Sequence, residues 1–158
     1  MKIKCFAREW LDVKNPPKNT VLISINNKNQ KNLENNFEDC LYLTFDDIKF
    51  EYKDFILFNQ NHFNKIKKFI EKYKSKDIFI NCTAGISRSG AIALGIAMLL
   101  NDKDLFWETL NNNAIYPNDY ILSFFQVKTK RYWFSYYETV TKIKEKLSKN
   151  CKYNIKNI

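Results

Sequence analysis

Cys82 and Arg88 stand six positions apart in the segment DIFINCTAGISRSGA, residues 77–91, with Gly85 between them. The apolar triplet IFI leads in and the run AIALGIAMLL leads out. The first reads as a strand and the second as a buried helix, so the spacing predicts a short loop between a strand end and a helix N-terminus. With Cys82 ending the strand and Ser89 opening the helix, Thr83, Ala84, Gly85, Ile86 and Ser87 can curl until their backbone N–H groups form an anion-binding nest. The helix N-terminus adds partial positive charge, and Arg88 adds two parallel N–H donors suited to phosphate oxygens. The same surroundings favour a thiolate at Cys82. An ordinary thiol ionises near ~8.5, and positions of this kind fall to ~3.5–7.5. A thiolate beside a bound phosphate can attack it, and the groups that hold the dianion then stabilise charge on its equatorial oxygens.

Residue scarcity sharpens the pattern. The chain has 26 basic residues, yet Arg8, Arg88 and Arg131 are its only arginines, and Gly85, Gly90 and Gly95 its only glycines. Arginine is kept where an ammonium cannot replace a planar fork. Gly85 sits where a tight loop needs positive φ or close backbone approach, whereas Gly90 and Gly95 read as helix-packing positions. A bare cysteine-x5-arginine pattern is weak alone, with roughly 0.08 chance matches in a chain of this composition. The flanking strand, the flanking helix, the internal glycine and the Ser89 hydroxyl make it specific. The competing reading is an inert buried cysteine at a strand end.

CTAGISRSG resembles the signature loop of the cysteine-dependent protein phosphatases, in the compact dual-specificity branch with its small viral and bacterial relatives. Downstream, LFWETLNNNAIYPNDYILSFF is similar to the helix, Pro-Asn turn and helix that follow the loop in that branch. Upstream, VLISI and LYLTFDDI resemble its strand and general-acid segment, so the similarity spans roughly residues 1–127. The resemblance implies a two-step reaction in which Cys82 takes the phosphoryl group and water hydrolyses the phosphocysteine, with no metal or other cofactor. It also implies an aspartate thirty to forty residues upstream, on a mobile loop after a strand. Asp47 is the first choice because it lies further past the strand end, and Asp46 follows closely; Glu51 and Asp54 are outsiders. Ser89 can donate to the Cys82 sulfur and help it leave, or serve simply as a helix N-cap or first-turn serine. The chain departs from the family at Asn81, where a histidine usually precedes the cysteine. An amide hydrogen-bonds but carries no charge, which predicts a slower or higher-pH enzyme rather than a dead one.

These groups need elements to hold them. Val21–Ile25 and Ile78–Ile80 read as core strands, and Leu41–Phe45 as a further strand running into Asp46-Asp47. Residues 26–36 read as a polar loop. Residues 59–74 form an amphipathic helix on which His62, the single histidine, reads as a surface residue. Helices follow over 89–100 and 105–112, another starts with Pro117 at or near its first turn, and a long amphipathic one covers 130–148. Strands alternating with helices predict an α/β fold with a mainly parallel sheet of about four to five strands flanked by helices, its ligand site beyond the strands' carboxyl ends. One domain is expected over residues 1–158, with 128–158 as an additional C-terminal helix. Its aromatic group Tyr132, Trp133, Phe134, Tyr136 and Tyr137 reads as core rather than a peptide-binding face, and Arg8 as structural.

The charged N-terminus MKIKCFAREW predicts no secretion signal, and the longest apolar run, Ala91–Leu100, is too short to span a bilayer. Four cysteines, at 5, 40, 82 and 151, match neither a metal spacing nor a dense disulfide framework. A reducing, cytoplasmic setting (host cytoplasm if viral) and a monomer are expected. Pairing of Cys40 with Cys82 as a redox brake is a further option. The net charge of +9 comes from dispersed lysines, which argues against nucleic acid as the main partner. The expected partner is a phosphorylated protein carrying phosphotyrosine and also phosphoserine or phosphothreonine. Alternatives are an RNA 5′-triphosphatase, a phosphoinositide phosphatase, or a binding module that captures phosphorylated partners. The loop interior TAGIS offers no lysine or histidine to meet extra phosphates, and intact Cys82 and Arg88 speak against the module.

Overall fold

A computed structural model describes residues 1–133, 135, 138 and 140–145. Its centre is a four-stranded parallel sheet in the order β1–β4–β2–β3, formed by β1 (Ile3–Ala7), β2 (Thr20–Asn26), β3 (Cys40–Thr44) and β4 (Asp77–Cys82). Before residue 130, four α-helices accompany it: α1 (Gln60–Lys72), α2 (Arg88–Leu100), α3 (Lys103–Asn112) and α4 (Asp119–Thr129). The chain is thus an α/β protein with a parallel sheet. Central strands of such sheets are covered on both faces and read as unbroken apolar runs, and all seven residues of β2 are buried.

The two faces are covered differently. Val21, Ile23, Ile25, Ile78, Ile80 and Cys82 face the larger core, which takes in buried hydrophobic residues from each of α1 to α4. Leu22, Phe79 and Phe6 face a smaller cluster with Leu11, Val13, Leu33 and Phe37, all from non-helical segments. Gly95 lets α2 approach α4: a Cβ there would lie 2.5 Å from the Phe125 ring. Gly90 meets Ile115 in the same way.

β1 is absent from the sequence reading. Lys4 interrupts its short apolar run and Lys2 precedes it, as an edge strand allows, and its outer backbone edge is capped by a side chain. Asn113 accepts from the Cys5 N–H (2.8 Å) and donates to the Ile3 carbonyl (3.1 Å).

The helix start expected at Pro117-Asn118 is found: Pro117 lies just before α4 and Asn118 is its N-cap, its side chain accepting from the Ile121 N–H. Other expectations need correcting. α4 closes at Lys130 in the left-handed conformation, so no helix begins at 130, although residues 140–145 are helical. The remainder of the expected 130–148 helix, and Phe134, Tyr136 and Tyr137, lie outside the described residues. Of the aromatic group, Trp133 packs on the core beside Phe106, while Tyr132 is exposed. Among the described residues no helix is long and apolar enough to cross a membrane.

His62 is buried, not a surface residue. It completes a capping box at the start of α1. The Asn59 side chain accepts from the His62 N–H, and the His62 Nδ1 accepts from the Asn59 N–H at 3.1 Å. That leaves Nε2 to carry the proton and donate to the Thr44 carbonyl at 3.1 Å. Burial holds the imidazole below its ordinary value of 6.5, against an opposing pull from that carbonyl. The unfolded chain therefore takes up the proton at a higher pH than the folded one, and stability rises with pH across the interval between the two values. Stability should fall as pH drops below about 6.5. Urea midpoints at pH 7.5 and 5.5 should differ more in the wild type than in His62→Gln; the same difference in both would remove His62 as the cause.

Candidate active site

β4 ends on Cys82 and α2 starts on Arg88, so the intervening loop is five residues, Thr83 to Ser87. Gly85 within it has φ +71°. A Cβ at Gly85 would lie 2.3 Å from the Ala7 nitrogen and the Phe6 carbonyl carbon, so the loop leans directly on the end of β1. Three of its carbonyls are engaged from outside: Thr83 by the Arg8 N–H (3.3 Å), Ile86 by the Tyr116 N–H (3.2 Å) and Ser87 by the Asn118 N–H (3.2 Å). In a trans peptide the next residue's N–H points opposite to the carbonyl. The N–H groups of Ala84, Ser87 and Arg88 are thereby turned toward the loop interior, as an anion nest requires. Gly85→Ala should destabilise the fold by about 2 kcal/mol or more, from positive φ and the clash together, with loss of loop function. Urea denaturation checks it, and wild-type stability in the variant would contradict the close approach.

Cys82 is buried, with its Sγ 3.3 Å from the Ser89 Oγ. Ser89 is the second residue of α2, not its cap. Arg88 is also buried. Its Nη1 donates to the Asn27 Oδ1 (2.5 Å) and the Phe45 carbonyl (2.9 Å), and its Nη2 donates to the Thr83 Oγ1 (2.9 Å). Its Nε is buried with no partner among the described residues.

Asp47, forty residues upstream, reaches this loop. Its Oδ1 accepts from the Ser87 hydroxyl and from the Asn118 amide, both at 2.8 Å, and the residue is exposed. Asp46 is turned away. It is buried, and its carboxylate accepts from the Ile56 N–H at 2.7 Å while its own N–H donates to the Ile56 carbonyl at 2.7 Å. Asp46 thus pins the base of the excursion 46–56, on which Glu51 is exposed and Asp54, also exposed, has φ 72°. The excursion carries an exposed aromatic group, with Phe50 and Tyr52 rings 4.7 Å apart and Tyr52 and Phe55 6.3 Å apart.

Asn81 sits on the opposite sheet face from Cys82 and is fully buried. Its register partners are Phe6 and Ser24. Neither polar atom of the Asn81 side chain, nor the Ser24 Oγ, has a hydrogen-bond partner among the described residues.

Cys40 is not placed to pair with Cys82. It faces the smaller cluster at the start of β3, in register with Leu22, while β2 separates it from β4. Burial pushes its thiol up to about 11. The sulfur neighbour of Cys82 is Cys5, on the adjacent strand and the same face. Burial first, then the charge of Cys82, drive the Cys5 thiol far above its ordinary range, and a Ser89 hydrogen bond offsets part of this. Cys151 lies outside the described residues. Arg8 bonds the Asn26 Oδ1 (2.7 Å) and the Lys31 carbonyl (2.6 Å), tying down the segment after β2. No group of three or more metal-ligating His, Cys, Asp or Glu side chains occurs among the described residues.

No protein-family model and no curated protein matches the chain. What the site does is therefore inferred from its own geometry. A buried thiol, a guanidinium with a free edge and inward backbone donors meet at one loop, and an exposed carboxylate from the 46–56 excursion is hydrogen-bonded to it. Together they can bind a tetrahedral dianion, attack it and protonate what leaves. Sequence reading missed Asn27, which orients Arg88, and Ser87 and Asn118 in their role of holding Asp47. Asn118 was visible only as part of the Pro-Asn turn that opens a helix; nothing local marks Asn27 among so many asparagines.

Proposed function

We propose that this chain hydrolyses phosphate monoesters on proteins, phosphotyrosine foremost and also phosphoserine or phosphothreonine, through a phosphocysteine intermediate. The observation that carries this reading is the hydrogen bond between Asp47 and Ser87. It brings an exposed acid to the loop that already holds Cys82 and Arg88. In the first step the Cys82 thiolate forms a bond to phosphorus as the phosphorus–oxygen ester bond breaks, and Asp47 gives its proton to the leaving oxygen. In the second, water attacks phosphorus, its proton passes to the Asp47 carboxylate, and the sulfur leaves as thiolate with the Ser89 hydroxyl donating to it. Arg88 and the backbone N–H groups from Thr83 to Arg88 hold the equatorial oxygens throughout. We read the chain as a monomer working in a reducing, cytoplasmic compartment, where the free Cys82 stays a nucleophile.

The test is turnover of para-nitrophenyl phosphate, a phosphotyrosine peptide, a phosphothreonine peptide, a phosphoinositide and 5′-triphosphorylated RNA by wild type and Cys82→Ser. Cys82-dependent hydrolysis of the peptides is expected. Turnover confined to the RNA or the phosphoinositide would move the substrate class. Binding of a phosphopeptide with no turnover of any substrate would make the chain a capture module.

A further inference from the structure

Arg88 cannot serve a dianion unless its fork is aimed before the ligand arrives, and its donors are already divided. Nη1 carries two hydrogens, and the Asn27 Oδ1 and the Phe45 carbonyl are the two acceptors it meets. Nη2 gives one hydrogen to Thr83. The buried Nε, without a partner among the described residues, and the second Nη2 hydrogen remain. They lie on adjacent nitrogens along one edge, the arrangement that grips two oxygens of one phosphate. All three acceptors that fix the guanidinium are neutral, and Arg88 enters no ion pair among the described residues. Its charge is left for the ligand.

The geometry points to Asn27 as the positioning residue for Arg88 in the proposed hydrolysis, a role that needs a neutral acceptor. Asn27 is well braced for it. It follows β2 directly, the Gln30 N–H donates to its carbonyl at 3.0 Å, and its own N–H donates to the Gln30 Oε1 at 3.2 Å. The Phe45 N–H donates to the Asn26 carbonyl at 3.1 Å, so the two acceptors that saturate Nη1 are locked to each other at the carboxyl ends of β2 and β3. An alanine at 27 frees one Nη1 hydrogen and lets the fork turn. An aspartate keeps an acceptor there and adds a negative charge against the guanidinium, competing with the dianion.

This inference rests on the hydrolase reading above. The experiment measures kcat/KM for para-nitrophenyl phosphate, competitive inhibition by inorganic phosphate, and thermal midpoints. Asn27→Ala should lower kcat/KM and weaken phosphate inhibition by about tenfold each, and Asn27→Asp should weaken phosphate inhibition at least as much. Thermal midpoints should stay close to the wild type, since Asn27 is exposed. In an Arg88→Lys background, Asn27→Ala should change kcat/KM by less than about twofold, because its effect passes through the guanidinium. Wild-type phosphate inhibition in Asn27→Ala, or a full loss persisting in the Arg88→Lys background, would overturn the positioning role while leaving the hydrolase reading intact. Wild-type phosphate inhibition in Asn27→Asp would overturn the requirement for neutrality. A wild-type protein that neither turns over the ester nor binds phosphate would overturn both readings.

Discussion

Cys82→Ser should lose hydrolysis of para-nitrophenyl phosphate by at least about 10⁴-fold, a loss of the size seen when an enzyme's nucleophile is removed. Inorganic phosphate should still bind within about threefold of the wild type. The two halves of this prediction have separate causes. A serine hydroxyl is essentially un-ionised at neutral pH, so the attacking anion is gone. The groups that bind phosphate belong to other atoms: the Nε edge of Arg88 and the backbone N–H groups turned inward by the bonds from Arg8, Tyr116 and Asn118. The exchange is also gentle on the fold. Cys82 is buried among apolar side chains with Ser89 as its polar neighbour at 3.3 Å, and a hydroxyl at that place can bond to Ser89. The thermal midpoint should therefore move little. Turnover retained in Cys82→Ser would assign the nucleophile elsewhere. Loss of phosphate binding together with turnover would show that the sulfur organises the loop rather than attacking the ester.

The loop was legible because everything that defines it is local. Strand, glycine, arginine and helix follow one another within fifteen residues, and each has a conformational reason for its type. β2 and β4 were legible for a similar reason, since strands buried on both faces leave unbroken apolar runs. β1 was not, because an edge strand tolerates the lysines that erase the pattern, and because its edge is closed by Asn113, more than a hundred residues away. His62 was misread from the pattern of α1. A capping box usually closes with Glu or Gln, and here an imidazole performs that task while anchoring the end of β3. Tyr132 failed in the opposite direction. Aromatic density suggested core, yet α4 ends at Thr129 and the chain that follows leaves this ring exposed. The supports of the site were the least legible. Asn27 to Arg88, Ser87 to Asp47 and Asn118 to Asp47 span 61, 40 and 71 residues, and a polar contact of that separation has no periodicity to announce it. The sulfur neighbour of Cys82 shows the same limit: composition singled out Cys40, whereas strand order puts Cys5 on the strand beside it.

Asp47→Asn should reduce turnover of a phosphotyrosine peptide by about 10²–10⁴-fold, the usual worth of a general acid, with inhibition by inorganic phosphate nearly unchanged. An asparagine keeps an oxygen that can accept from Ser87 and Asn118, as the Asp47 Oδ1 now does at 2.8 Å from each. The excursion should stay in place, and only the transferable proton is lost. That proton matters in proportion to how poor the leaving group is. Nitrophenolate departs readily without it, so with para-nitrophenyl phosphate the loss should shrink toward about tenfold, whereas a phosphoserine peptide, with its alkoxide, should show the full effect. Asp46→Asn should do the reverse. Its carboxylate accepts from the half-buried Ile56 N–H at 2.7 Å, and exchanging it for an amide weakens a charge-assisted bond. The expected cost is about 1–2 kcal/mol of stability, read by urea denaturation, with kcat changed by no more than a few-fold. The discriminating measurement is the ratio of the variant's defect on phosphoserine peptide to its defect on para-nitrophenyl phosphate. A ratio well above one for Asp47→Asn alone makes Asp47 the proton donor. A ratio near one there, with the leaving-group dependence appearing in Asp46→Asn, would require the excursion to rearrange when substrate binds and would hand the proton to Asp46.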